Sequence, residues 1–257
     1  MNNRRDKIVH KDYYVRENTG QTLRYNWYAE KFFKNISNKR ILEIGCGDGG
    51  IVQFLKEKNK VFAVDLSKNG VRFLKKKGIE AYQVDVSNEA LPFKNQSLDF
   101  VIILETLEHL KSPQAAIEEI QRILKKDGIM LASIPNPRNM HKLMYPCLFN
   151  LRNFKKFLKN NKFRIEQITS YGICPPFYKQ MKPYLDRKYI QQKSKLNKSK
   201  NASPLLAKIS WLLSNDLLTS VKPKRYGFSF IFLCKNVNPR GARDLYEAIA
   251  QETKRSY

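Results

Sequence analysis

Four glycines fall within the stretch "ILEIGCGDGG", at Gly45, Gly47, Gly49 and Gly50. Two nucleotide-binding spacings are present at once: G-x-G-x-x-G over Gly45, Gly47 and Gly50, and G-x-G-x-G over Gly45, Gly47 and Gly49. The first suits a dinucleotide, whose pyrophosphate wants bare backbone amides and no acid close by. The second suits a nucleoside that carries a cation in place of phosphate. Charge separates the two. Glu43 stands two residues before Gly45 and Asp48 lies inside the loop. Carboxylates there attract an ammonium or sulfonium and repel a pyrophosphate. Asp65 follows Gly45 by twenty residues, a spacing that lets an acid accept hydrogen bonds from two ribose hydroxyls in either ligand class. Asp85 is placed to meet an adenine amino group, with the Val86 N–H beside it. One acid at a strand end is ordinary surface; three beside a glycine loop make a site for a cationic nucleoside.

A second constellation is "ETLEHL", residues 105–110. If it opens a helix or tight turn, Glu105, Glu108 and His109 lie at i, i+3 and i+4 and can approach one another. Two carboxylates and an imidazole could hold a divalent cation that prefers oxygen ligands. His109 could instead act as a general base toward an acceptor hydroxyl, poised near neutrality by the two glutamates. A third reading has the segment simply capping and packing the entrance of a helix.

These residues need a scaffold, and the surrounding pattern describes one. Short apolar runs at 40–44, 61–65, 81–85, 99–104 and 128–134 read as buried strands. Between them, "IVQFLKEK", "GVRFLKKK" and "PQAAIEEIQRILKK" carry apolar residues at helical spacing. In the last of these Ala116, Ile117, Ile120 and Leu124 share a face, Ser112 and Pro113 mark its start, and Gly128 is the expected stop. Alternating strand and helix at this spacing predicts a parallel sheet covered by helices on both faces. Beyond Pro135 come a helix at "NFKKFLKNN", a strand at "KFRIEQITS" and a last strand at 226–236.

Composition bounds the partners. The chain has 257 residues, 42% of them hydrophobic, and a net charge of +25. One α/β domain with a small appendage fits that length. The charge favours anionic partners, whether nucleic acid, acidic lipid headgroups or phosphorylated or acidic small molecules, unless it only decorates a solvated surface. Four cysteines form no C-x-x-C or metal-ligand spacing, so reduced thiols in the cytoplasm are expected. The N-terminus lacks the apolar core of a signal peptide, and no run is long enough to span a membrane.

At this point the sequence resembles the class I S-adenosylmethionine-dependent methyltransferases. "ILEIGCGDGG" resembles the family's first motif, "VFAVDLS" its second-strand acid, and "VDVSNEALPFKNQSLDFVIILETLEHL" the region of the third and fourth strands. "ILKKDGIMLASIPN" is similar to its fifth-strand segment. Among family members the chain most resembles the ubiquinone-biosynthesis O-methyltransferases and their small-molecule and glycan relatives. The resemblance implies a doubly wound, Rossmann-like, mostly parallel seven-stranded sheet with a reversed last strand, and S-adenosyl-L-methionine as cofactor. It also implies a cofactor set of Arg24, Glu43, Gly45, Cys46, Gly47, Gly49, Asp65, Leu66, Asp85, Val86 and Leu104. Arg24, in "LR" twenty-one residues before Gly45, would pair with the methionine carboxylate in a bidentate contact that lysine could not reproduce. Leu104 would pack against the adenosine–methionine side. Some relatives hold magnesium through E-x-x-E-H, which makes Glu105, Glu108 and His109 metal candidates, with His141 after "IPNPRN" as a further one.

The expected organisation is an N-terminal helical cap (1–36), a cofactor-binding core (37–171), a basic and apolar insertion on the substrate side (172–225), the last core strand (226–236) and a C-terminal tail (237–257). Tyr13, Tyr14, Tyr25, Trp27 and Tyr28 could line an acceptor pocket or pack onto the sheet. Leu206, Ile209, Leu213 and Leu217 put an apolar face on a helix flanked by lysines. That helix could close the site as a lid or lie on an anionic membrane, making the protein peripheral to its inner face. The expected reaction is methyl transfer to a small-molecule, lipid-linked or glycan hydroxyl. An RNA methyltransferase using the basic surface is the alternative, and a non-catalytic binding subunit is the third possibility.

Overall fold

The computed structural model describes residues 25, 27–137, 145, 148–171 and 229–237. Seven strands form one sheet: β1 (Arg40–Ile44), β2 (Lys60–Asp65), β3 (Glu80–Gln83), β4 (Leu98–Ile103), β5 (Leu124–Pro135), β6 (Phe163–Tyr171) and β7 (Ser229–Asn236). Their order is β3-β2-β1-β4-β5-β7-β6, with β7 antiparallel to both neighbours and the other ladders parallel. Strands β1, β2 and β4 are buried on both faces, which is why they read in the sequence as near-continuous apolar runs. The order reverses between β1 and β4, and that switch opens a crevice beyond their carboxyl ends.

The helices are α1 (Gly50–Leu55), α2 (Lys68–Lys76), α3 (Pro113–Ile123) and α4 (Leu151–Asn160). Two apolar clusters, one on each sheet face, hold the layers together. One joins Ile117, Ile120, Phe154 and Leu158 to strand residues such as Leu42 and Phe232. The other joins Ile51, Val52, Leu55, Val71 and Leu74 to Ile41, Ala63 and Ile102. Side-chain caps start three of these helices: Ser67 Oγ accepts from Gly70 N, Ser112 Oγ from Ala115 N, and Asn150 Oδ1 from Asn153 N. In the N-terminal region a short π-type turn, Ala29–Phe33, packs Ala29 and Phe33 into the interior.

Two boundaries differ from the sequence pattern. Helix α3 stops at Ile123, short of the expected stop at Gly128, and the chain passes directly into β5. Leu124 adopts an extended conformation and pairs with Leu98. Asn236 of β7 donates its amide to the carbonyls of Gln121, Leu124 and Lys125 at 3.3–3.4 Å, satisfying groups that a longer helix would have bonded internally. Gly128 serves a turn within β5, where a Cβ would lie 2.9 Å from the Lys125 carbonyl oxygen. The last strand is described from Ser229; residues 226–228, the insertion 172–225 and the tail from 238 lie outside the described residues. Among the described residues no helix is long and apolar enough to cross a membrane.

The connection from β3 to β4 begins at the expected adenine subsite, and a single arginine braces it. Arg122 of α3 donates to the carbonyls of Phe93 and Leu91, to Asn95 Oδ1, and in bidentate fashion to Glu119. Glu119 in turn accepts from Leu91 N at 2.7 Å. Arg122→Ala therefore strands several half-buried acceptors. It should lower unfolding stability by about 2–3 kcal/mol, read from urea midpoints at unchanged slope.

Candidate cofactor and acceptor site

The glycine loop turns at the carboxyl end of β1 with Gly45, Gly47 and Gly49 all in the left-handed region, at φ of 67°, 55° and 70°. Gly45 and Gly49 also admit close neighbours. A Cβ on Gly45 would lie 2.2 Å from Thr106 Oγ1, and one on Gly49 would lie 2.4 Å from Leu74 of α2. Gly50, the third glycine of the dinucleotide spacing, lies under Tyr25: a Cβ there would come within 2.0 Å of that ring. The extra glycine thus accommodates an aromatic ring of the N-terminal segment, so this spacing does not require a pyrophosphate.

Carboxylates surround the loop. Asp65, 6% exposed at the end of β2, accepts from Gly47 N at 2.8 Å through one oxygen and from Ser67 N at 2.7 Å through the other. It thereby clamps the first two strand-end loops together and keeps lone pairs for a ribose diol. Glu43 is buried, and its Oε2 accepts from Val52 N in the first turn of α1 at 3.2 Å. From that position it contributes negative charge beneath the loop. Asp48 Oδ1 is buried and has no hydrogen-bond partner among the described residues. A buried, unpartnered carboxylate oxygen invites a cationic donor. The Cys46 thiol registers the same field: burial first, then the carboxylates of Asp65, Glu43 and Asp48, push its pKa well above the ordinary value. These residues fit the ammonium and sulfonium of S-adenosylmethionine and oppose a pyrophosphate.

Leu66 follows Asp65 and is 39% exposed, an apolar surface at the rim of the crevice. Asp85 closes an Asx-type turn after β3, accepting from Ser87 N and from the Asn88 side chain at 3.0 and 2.8 Å. Val86 is buried beside it, and Leu104 is half-buried against the cluster that holds Tyr28 and Ile102. Arg24 and His141 lie outside the described residues.

The segment after β4 does not form the start of a helix. Glu105 takes a left-handed conformation at φ 49°, and Leu107–His109 make a single 3-10 turn. This breaks the i, i+3, i+4 face that would have gathered the three polar side chains. Glu105 turns to β5, where its N–H donates to Ser133 Oγ at 2.9 Å and Ser133 Oγ donates to its carboxylate at 2.8 Å. Glu108 is fully buried, and His109, with its side chain 44% exposed, lies 3.8 Å from it. Among the described residues no three His, Cys, Asp or Glu side chains come together as a metal site. Sequence reasoning passed over Ser133 and Thr106. Ser133, fully buried within the apolar run of β5, carried the signal of a polar residue where only apolar ones are expected.

Of the N-terminal aromatics, Tyr28 is buried in the core, and Trp27 packs edge-on against Tyr28 and Tyr171 at 5.3 and 5.2 Å. They pack onto the sheet near the crevice; Tyr13 and Tyr14 lie outside the described residues.

Residues 42–132 match the model of a family described as "Methyltransferase domain". An uncharacterised protein of Methanocaldococcus jannaschii is 32% identical over 139 residues, covering 54% of this chain and 64% of that protein. A ubiquinone biosynthesis O-methyltransferase of Rickettsia canadensis is 27% identical over 168 residues, covering 59% of this chain and 70% of the enzyme. The chain therefore spans about two thirds of the length of these relatives. Among solved structures, a SAM-dependent methyltransferase of Archaeoglobus fulgidus superposes with a TM-score of 0.55 at 18% identity, over 84% of this chain and 92% of that one.

Asp65→Ala should leave the protein folded and weaken S-adenosylmethionine binding by about 100-fold, through loss of the ribose contacts and of the clamp on the Gly47 and Ser67 amides. Calorimetric titration beside a thermal melt measures both; unchanged affinity would remove the ribose from this position. Gly50→Ala should weaken the same binding by displacing Tyr25. Combined with Tyr25→Ala it should cost less than the sum of the two single changes.

Proposed function

We propose that this chain, whose residues 42–132 are a class I S-adenosylmethionine-dependent methyltransferase domain, methylates an oxygen of a small-molecule or lipid-linked hydroxyl acceptor. The observation that carries the cofactor half is the ring of carboxylates, Glu43, Asp48 and Asp65, around a left-handed glycine loop. For the acceptor half, the support comes from Glu105. Its half-buried carboxylate is anchored by Ser133 at the carboxyl ends of β4 and β5, while Thr106 packs against Gly45 of the cofactor loop. A carboxylate there can accept a hydrogen bond from an acceptor hydroxyl and orient its oxygen toward the methyl group. The likeness to an oxygen-methylating relative supports the same acceptor atom.

The reaction asks little of the protein beyond alignment. The oxygen–carbon bond forms as the carbon–sulfur bond breaks, the sulfonium leaves as a neutral thioether, and the hydroxyl proton passes to a nearby base or to water. Holding nucleophile, methyl and sulfur in line supplies most of the rate. The exposed His109 is the second candidate to receive the proton.

S-adenosylmethionine labelled on its methyl group, incubated with the protein and an extract of the cells that make it, tests this reading. Label should enter the lipid or small-molecule fraction. Glu105→Gln should reduce that transfer by about 10- to 100-fold with cofactor affinity unchanged. Label in RNA would replace the acceptor assignment, and chelator sensitivity would bring back a metal at Glu105, Glu108 and His109.

A further inference from the structure

Helices α1 and α2 lie side by side on one face of the sheet. Ile51, Val52 and Leu55 share a core cluster with Val71 and Leu74, Gly49 sits against Leu74, and the Lys56 ammonium donates to the Lys77 carbonyl at 3.3 Å. Their outer sides carry two large apolar groups that the core does not use. Phe54 is 49% exposed and Phe73 is 41% exposed. Around them stand the exposed Lys56, Arg72 and the run Lys75, Lys76 and Lys77, with the Lys77 ammonium 5.6 Å from the Phe73 ring centroid. Between residues 50 and 78, Glu57 is the one exposed acid.

A basic surface alone would be unremarkable in a chain of net charge +25. The comparison is α4, on the opposite face. It is equally basic through Arg152, Lys155, Lys156 and Lys159, yet its Phe154 is buried and its Phe157 is packed against the core. The α1–α2 surface combines cations with projecting phenylalanines.

We propose that the α1–α2 face docks on an anionic lipid surface. Phenylalanine has no polar tip to satisfy, so its ring gains by entering the acyl boundary while flanking lysines reach the headgroup phosphates. The charge complementarity is direct: several cations against one acid. A single-stranded nucleic acid would ask for rings lining a groove in which successive bases stack, whereas these rings project from helix exteriors. The first turn of α2 touches the cofactor loop, with Gly70 against the Gly47 carbonyl and Leu66 exposed at the rim. Phe54, Lys56, Phe73, Lys75, Lys76 and Lys77 lie toward the carboxyl ends of α1 and α2, the ends away from that loop, so the docking does not rest on the proposed oxygen methylation.

Co-sedimentation of the full chain with vesicles tests the docking without cofactor or acceptor, so failure of the methyl-transfer reading would not move the result. Vesicles of equal parts phosphatidylcholine and phosphatidylserine should bind the protein, and phosphatidylcholine vesicles should not. The double variant Phe54→Ser, Phe73→Ser should weaken binding by about tenfold or more, and Arg72→Glu with Lys76→Glu should do likewise. A matched reversal on α4, Lys155→Glu with Lys159→Glu, should change it by less than about threefold. Thermal melts confirm that each variant is folded. Unchanged binding of the phenylalanine variant, equal loss from the α4 reversal, or tighter binding to single-stranded RNA than to vesicles at the same salt would overturn the proposal.

Discussion

The site depends on one carboxylate that holds two strand ends in register. Asp65 reaches from the end of β2 to the Gly47 N–H across the loop after β1, and its second oxygen fixes Ser67 at the entrance to α2. Both bonds are charge-assisted, and the one to Gly47 is buried, where such contacts are strongest. Around that clamp each glycine gives its missing side chain to a different element: Gly45 to the loop after β4, Gly49 to α2 and Gly50 to the N-terminal segment. The loop is therefore a junction as well as a ligand cradle. A methyl group added at any of the three positions would displace a different piece of the molecule. The cofactor loop and the segment after β4 are packed together, with Thr106 against Gly45.

Much of this was legible in the residues. Parallel strands buried on both faces leave long apolar runs, and β1, β2 and β4 were recognisable on that ground. The cap Ser112 was readable from the sequence, and Ser67 and Asn150, which the pattern does not single out, obey the same local code. What the pattern concealed was set at a distance. The end of α3 depends on Asn236, 112 residues from the Leu124 carbonyl it binds. The geometry of "ETLEHL" depends on Ser133, 28 residues away, which holds Glu105 in a conformation that non-glycine residues rarely adopt. Helical spacing places Glu105 beside His109 on paper. A left-handed residue followed by a 3-10 turn replaces that helical spacing.

That strained position is informative about the acceptor side. A left-handed non-glycine residue persists when surrounding contacts over-determine it, and such residues gather at functional sites. Glu105 is held twice by the same serine, through its N–H and through its carboxylate, at the junction of the two strands that flank the crevice. Glutamate at a solvated turn would need neither bond. The arrangement fixes a carboxylate in space at the cost of backbone strain, which a purely structural turn could avoid by using glycine or asparagine.

The charge distribution presents a conflict that the structure resolves by distance. A protein of net charge +25 should repel S-adenosylmethionine, whose ammonium and sulfonium leave it cationic near neutral pH. Yet, among the described residues, the exposed lysines and arginines of α2 and α4 stand on helix exteriors, outside the loop. At physiological ionic strength exposed charges are screened beyond about 8 Å. The buried carboxylates of Glu43 and Asp65 and the buried Oδ1 of Asp48 act at contact range and in a lower dielectric. The near field therefore belongs to the acids and decides what enters the crevice. The far field belongs to the lysines and decides what the molecule approaches. A chain that binds a cation at its centre and favours anions at its periphery needs its acids buried and its bases exposed, and this separation is what the fold provides.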